Sequence, residues 1–252
     1  MNSQKEKEEM ENKIEKIYED EDVVVINKPA KMLVHADGVS KEKTITDWVV
    51  ENYPEAIDVG ETGILKNGEI IKRPGIVHRL DFETSGALLI CKTKESHEYF
   101  KKQFQEKTIQ KEYHTIVYGV VKNDEGTIDK PIGRHPTDFR RRLAESGARG
   151  EMREAITDYK VIERRIDSSF IYAFPHTGRT HQIRVHMKSL GHPIICDSLY
   201  APKMPRLFGI ERLALHAYKI TWTDTNGEQK SAIAPYPTDF EQALIGFKNS
   251  VA

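Results

Sequence analysis

Long apolar runs are missing from this sequence. No stretch approaches the roughly 18 consecutive apolar residues that a membrane-crossing helix requires. The opening Met1-Asn2-Ser3-Gln4-Lys5-Glu6 has neither the apolar core nor the cleavage signal of a secretory leader. Cysteine is nearly absent: Cys91 and Cys196 stand alone, without metal-ligand spacing, which excludes a disulfide framework and points to reduced thiols in the cytoplasm. Internal repeats, low-complexity linkers and a GxGxxG phosphate loop are missing as well. What is present is a chain of 252 residues, 38% hydrophobic and 31% charged. It is long enough to bury a sizeable core, as one large domain or as two lobes sharing a core.

The net charge of −1 argues at first against a polyanionic partner, but the average conceals an asymmetry. Residues 1–22 carry nine acidic and four basic side chains, so the rest of the chain carries +4. From Lys130 to Arg165 there are ten Lys/Arg against six Asp/Glu, including Arg140-Arg141-Arg142. A patch of this kind serves either as a solvated charged loop or as a set of phosphate contacts, which dominate nucleic-acid affinity.

Periodicity sketches an α+β chain. Residues 3–18 read as a charged helix or frayed tail with Met10, Ile14 and Ile17 as a thin stripe. Val23–Ile26 reads as a buried strand ended by Lys28-Pro29. A short helix is expected over Thr44–Tyr53, hairpin turns at Asn67-Gly68 and Asn226-Gly227, and strands at Ala87–Cys91, Glu112–Tyr118 and Phe170–Phe174. Ser96 is expected to cap a helix to about Gln105 with Tyr99, Phe100 and Phe104 inward, and Thr180 one from His181 to Leu190 closed by Gly191. Strands outnumber helices with no sustained βαβ alternation, which favours a mostly antiparallel sheet.

Three blocks carry chemistry. In His78-Arg79-Leu80-Asp81-Phe82-Glu83-Thr84-Ser85-Gly86, one carboxylate stands beside a basic pair and just before an apolar strand, a setting for a nucleophile or base. Helical spacing in Thr177–Met187 puts His181, Arg184 and Lys188 on one face, with Ile183, Met187 and Leu190 on the opposite, core-facing side. Arg184 there either holds a carboxylate ionised or is a helix-surface arginine. Tyr113, with Thr115 and Val117 on one strand face and Lys111 two residues before it, suits base stacking or proton transfer, or simply the core. His181 and His186 are five residues apart, off a common helical face and without a third ligand, so no metal site is expected. A kinase loop fails because Gly86 stands where an Asn is needed. No serine sits in a GxSxG elbow, and a glycoside hydrolase needs a second carboxylate where only Glu83 is near in sequence.

Together the blocks resemble the RluA family of pseudouridine synthases. Residues 78–86 are similar to its HRLDxxTSG motif around the catalytic aspartate. Asn27-Lys28-Pro29-Ala30 with Val34-His35 resembles NKPxGxxVH, with Ala30 for the usual glycine. Lys111–Gly119 resembles KxYxxxVxG, and Thr177–Met187, continued by Gly191–Ile194, Asp197 and Tyr200, resembles the TGRxHQxRVHM block. Leu215-His216-Ala217 resembles its LHA segment, so the likeness runs from about Tyr18 to Phe240.

The resemblance implies the pseudouridine synthase fold: a central, mostly antiparallel mixed sheet flanked by helices and loops, with an active-site cleft across it. Residues 1–17 would be a charged tail or helix and 18–245 the catalytic domain. It implies an isomerase that breaks the N1–C1′ bond of a uridine in structured RNA, rRNA or tRNA, and rejoins the base through C5, with no cofactor. Asp81 would be the nucleophile, attacking either ribose C1′ or uracil C6. Arg184 would supply its counter-charge, and Tyr113 would stack on the uracil and take the C5 proton. Arg79, Arg134, Arg140, Arg141, Arg179 and His181 are the expected RNA contacts. About 17 residues precede the resemblance, too few for the S4 RNA-binding module of many members. The expectation is a cytoplasmic monomer acting on a compact RNA stem-loop.

Overall fold

The computed structural model describes residues 14–65, 68, 70–144 and 147–250. They form two compact units, one from the residues up to Ile109 with Lys219–Pro235, the other from Gln110–Tyr218 with the residues from Tyr236. The architecture is α+β, and each strand pairing described below is antiparallel. No helix among the described residues is long and apolar enough to cross a membrane.

In the first unit β1 (Glu15–Glu19), β2 (Val23–Lys28) and β5 (Ser85–Cys91) lie side by side in that order. Val23–Ile26 is fully buried and β5 is buried along its whole length, so both strands read as continuous apolar runs rather than alternations. Pro29, with no N–H to donate, follows the end of β2. Strand β1 corrects the expectation of helix or tail through residue 18. Its register sets Glu15 opposite Asn27 and Glu19 opposite Val24, an edge pairing invisible without the partner strand. Residues 1–13 lie outside the described set.

Helix α1 (Ile45–Asn52) starts as expected, with Thr44 and Asp47 in a reciprocal capping box. Helix α2 (Lys94–Gln105) starts earlier than expected. Thr93 is its cap, its Oγ1 accepting from Ser96 N–H at 3.0 Å, and Ser96 is the N3 partner whose Oγ accepts from Thr93 N–H at 3.2 Å. Phe100 is buried, while Tyr99 and Phe104 are only partly so. The hairpin β3 (Thr62–Ile64)–β4 (Ile70–Lys72) forms where expected, though Asn67 lies outside the described residues.

The second unit orders its strands β6 (Gln110–Tyr118), β12 (Ser168–Pro175), β11 (Ile156–Arg165) and β7 (Glu125–Asp129). A small side sheet joins β8 (Ile132–Arg134) to β9 (Arg142–Leu143) and β10 (Arg149–Arg153). Helix α3 (Gln182–Ser189) and helix α4 (Thr238–Asn249) complete the unit. Ile116, Phe170, Ile171, Ile183, Met187 and Phe247 share its core. Strand β13 (Leu215–Thr223) begins in this unit and ends in the first, where it forms the Asn226-Gly227 hairpin with β14 (Gln229–Ile233).

Gly75 fixes the segment that leads to Asp81. Its N–H donates to Val59 O, and its carbonyl accepts from Cys91 N–H at 2.9 Å. Its φ is +70°, and an added Cβ would meet Cys91 O at 2.4 Å. Gly75→Ala is therefore expected to cost about 2 kcal/mol or more. Urea denaturation checks this, and a wild-type midpoint would show that the turn does not anchor the segment.

Candidate active site

Asp81 sits at the end of a segment laid along β5. Ile76 bridges to Ile90, and Leu89 N–H donates to His78 Nε2 at 2.9 Å. That nitrogen is therefore an acceptor, and the ring stacks on Phe104 with centroids 4.7 Å apart. Leu80 is buried, and Thr84 N–H donates to Asp81 O at 3.1 Å, closing the turn that enters β5. Asp81 itself is partly buried.

Lys28, the motif lysine at the end of β2, has no exposed surface. Its ammonium donates to Pro29 O at 2.8 Å and Met32 O at 3.0 Å, and reaches Phe82 O at 3.5 Å. A buried cation thus ties the 29–32 loop to the residue that follows Asp81, its charge met by carbonyl dipoles. Arg79 is exposed, its Nη1 3.5 Å from His35 Nε2. Burial and the Arg79 and Arg73 guanidiniums hold His35 down to about 4.

In the second unit Tyr113 lies on β6 opposite Ala173 of β12 and packs against the core. Lys111, two residues earlier, donates to Thr177 O at 3.3 Å, which ties the tyrosine strand to the turn entering α3. That helix differs from the expectation. Thr180 does not cap it; His181 occupies the N-cap in a left-handed conformation, φ 58°, with no side-chain cap bond. The turn is held instead by Gln182, whose Oε1 accepts from Thr177 Oγ1 at 2.6 Å and Arg179 N–H at 3.0 Å.

The face assignment changes too. Residues 182–187 are all buried, and Leu190 is exposed. Arg184 is buried because a carboxylate is buried with it. Asp197, fully inaccessible, accepts from Arg184 Nε and Nη2 at 2.8 Å each, and from Leu199 and Tyr200 N–H at 3.0 Å each. The Tyr200 ring lies 5.2 Å from the Arg184 guanidinium, 5.5 Å from Arg141 and 5.8 Å from Lys188. Its hydroxyl accepts from Arg142 N–H at 2.8 Å and lies 3.0 Å from His181 Nδ1. Sequence reasoning placed Asp197 and Tyr200 in the continuation of the TGRxHQxRVHM-like block but left them without roles.

The remaining expected RNA contacts lie in this unit. Arg134 is exposed on β8, directly opposite Arg142 on one side and Arg149 on the other. Arg140 is exposed but bound through two nitrogens to Asp138. Arg179 donates from Nε to Glu154 O at 3.0 Å. His186 commits Nδ1 to Thr157 Oγ1 and Nε2 to Lys130 O, a structural role.

The sequence profile of the RNA pseudouridylate synthase family matches residues 22–189. An uncharacterized RNA pseudouridine synthase of Synechocystis sp. is 36% identical over 236 residues, covering 93% of this chain and 69% of that protein. The ribosomal large subunit pseudouridine synthase D of Neisseria meningitidis is 36% identical over 239 residues, 90% of this chain and 59% of its own length. Among solved structures, human RNA pseudouridylate synthase domain containing 1 superposes with a TM-score of 0.69 at 26% identity, covering 90% of this chain and 84% of that one. The site and these matches together define an RNA-modifying isomerase. The chain belongs to the RNA pseudouridine synthase family.

Two outcomes are expected from the second unit. Asp197→Asn leaves the buried Arg184 guanidinium short of its counter-charge and is expected to cost about 3–5 kcal/mol in urea denaturation; a near-wild-type midpoint would remove Asp197 from that role. Burial also pushes Lys111 from 10.5 down to about 8. Between those values the unfolded chain binds more protons than the folded one, so stability rises with pH across the window. Wild type is therefore expected to gain stability relative to Lys111→Met from pH 8 to 10.5; parallel stability curves would refute this.

Proposed function

We propose that this protein converts a specific uridine of structured RNA, rRNA or tRNA, to pseudouridine, with Asp81 as the nucleophile. The observation that carries the RNA substrate is the cross-strand row Arg142–Arg134–Arg149 on the side sheet. Like charges directly opposite one another destabilise a sheet. A row of three guanidiniums is a cost to folding that a polyanion offsets on binding. Arg141 precedes Arg142 in the chain, Arg179 reaches Glu154 O just after β10, and Arg140 joins the row when phosphate displaces Asp138, since an exposed ion pair is worth little. The name of the Neisseria relative favours ribosomal RNA over tRNA.

The chemistry needs no cofactor, because the bond made is C–C and the atoms balance. Asp81 adds to ribose C1′ as N1 departs, or to uracil C6 before the N1–C1′ bond breaks; the base turns, C5 bonds to C1′, and the Asp81 carboxylate leaves, displaced from C1′ by C5 or eliminated from C6. The C5 proton then leaves and N1 gains one. Tyr113 is assigned the C5 proton and a stacking role, with its β6 neighbours holding the ring in place. Arg184 is assigned the counter-charge for the developing anion, its guanidinium plane preset by Asp197. The uridine must be flipped from its stack, and Arg79 suits the vacated gap. Family membership and the position of Asp81 in its motif support these roles, and the protein is taken to act as a monomer.

Chemical mapping of pseudouridine in rRNA and tRNA tests the reading. Cells lacking the protein are expected to lose a site that the wild-type gene restores and Asp81→Asn does not. Restoration by Asp81→Asn would rule out the nucleophile, and an unchanged pseudouridine map would rule out the activity.

A further inference from the structure

We propose that Phe139 is a stacking platform for an unpaired base of the RNA, set at the tip of the hairpin that carries the arginine row. This rests on the RNA reading and adds to its phosphate contacts one that distinguishes unpaired from paired nucleotides.

Residues 135–141 join β8 to β9. Of the aromatic side chains among the described residues, Phe139 is the most exposed, at 75%. A single exposed apolar side chain is ordinary on a protein surface. What distinguishes this one is the loop beneath it. Arg141 N–H donates to Asp138 O at 3.0 Å, a turn with Phe139 and Arg140 at its corners. His135 N–H donates to Arg141 O at 3.2 Å and closes the loop at its base, while His135 Nδ1 accepts from Asp138 N–H at 3.1 Å. The Asp138 carboxylate accepts from Arg140 N–H, Nε and Nη2 at 3.1, 3.0 and 2.9 Å. Arg142 Nη1 donates to Phe139 O at 3.2 Å and to Arg141 O at 3.0 Å. The backbone under the ring is thus fixed before any ligand arrives, so little ordering remains to be done on binding.

The Arg142 bond also brings charge to the ring. Its guanidinium lies on the Phe139 carbonyl, and Arg142 stands directly opposite Arg134. Arg140, next in the chain, is exposed. The acids at hand have cations of their own: Asp138 holds Arg140, and Glu151 lies 3.7 Å from Arg153.

An exposed ring among guanidiniums matches single-stranded nucleic acid. Phosphates take the cations, and an unstacked base takes the face of the ring. A base inside a stem already has neighbours on both faces and offers the ring nothing. The occupant is therefore a nucleotide of a loop or bulge. An apolar pocket on a protein partner would gain from the ring but not from the cations around it.

The test uses the full chain and two labelled RNAs, a stem-loop with an unpaired run of uridines and a fully paired duplex, read by fluorescence anisotropy across a range of salt. Phe139→Ala is expected to weaken stem-loop binding roughly 5- to 150-fold, the worth of one stacked base. The factor should be the same at every salt concentration, because stacking releases no counterions. Duplex binding should stay at the wild-type value. Wild-type affinity of Phe139→Ala for the stem-loop overturns the stacking contact and leaves the ring to a protein partner. An equal loss on the duplex, or a changed salt slope, overturns it as well, and each of these leaves the RNA reading intact. Failure of wild type to bind either RNA overturns both. The side chain is exposed, so the urea midpoint of Phe139→Ala should match wild type. Should it fall, Phe139→Trp decides: its added fluorescence, above that of Trp48 and Trp222, is expected to be quenched by the stem-loop and not by the duplex. An indole that the stem-loop leaves unquenched overturns the proposal.

Discussion

Removing the charges of Arg184 and Asp197 from water costs several kcal/mol per ion, and the second unit is arranged so that this cost is met. The carboxylate receives two guanidinium N–H groups and two backbone N–H groups, while the Tyr200 ring covers the cation. Each partner fixes another element. Leu199 and Tyr200 N–H fold the loop after Asp197 around it. The Tyr200 hydroxyl reaches Arg142 N–H and so ties β9 of the side sheet to the same point. Because the helix carrying Arg184 is buried from 182 to 187, the guanidinium cannot swing without breaking this set.

The first unit solves the same problem with the opposite sign of support. Lys28 is fully buried, and its ammonium donates to the Pro29 and Met32 carbonyls. Asp81 in turn owes its place to backbone bonds: the Gly75 and Ile76 pairings with β5, the His78 bond to Leu89 N–H, and the turn closed by Thr84 N–H. Both units thus hold these side chains through buried polar groups that leave little freedom to relax.

Electrostatics on the surface follow a different rule. The chain is close to neutral overall, yet its cations are unevenly matched. Lys72, Lys101 and Arg140 have carboxylates at hand. Arg134, Arg142 and Arg149 face one another across strands. Like charge set side by side on the side sheet, on a chain with enough acid to neutralise it, is the physical mark of a polyanion-binding protein.

Much of this was legible in the sequence where structure is local. Val23–Ile26 and Ala87–Cys91 declare themselves as strands because β-branched and apolar runs bury on both faces whatever lies beside them. Thr44 with Asp47 declares a helix start because a capping box is made within four residues. The motif order grouped Asp81, Tyr113 and Arg184 as candidates. Tertiary structure alone decided the rest. Strand β1 exists because β2 offers it an edge. Strand β11, whose buried Thr157, Tyr159 and Val161 alternate with polar residues, was masked by its charges. Helix α3 begins at Gln182 because that side chain bonds the turn, not because Thr180 caps it. Arg184 is buried rather than exposed because Asp197, thirteen residues away in sequence, is folded back against it. Sequence fixes what a residue can bond to within a turn or two; which distant partner neutralises a charge, and hence whether that charge can leave water, is settled only when the chain is folded.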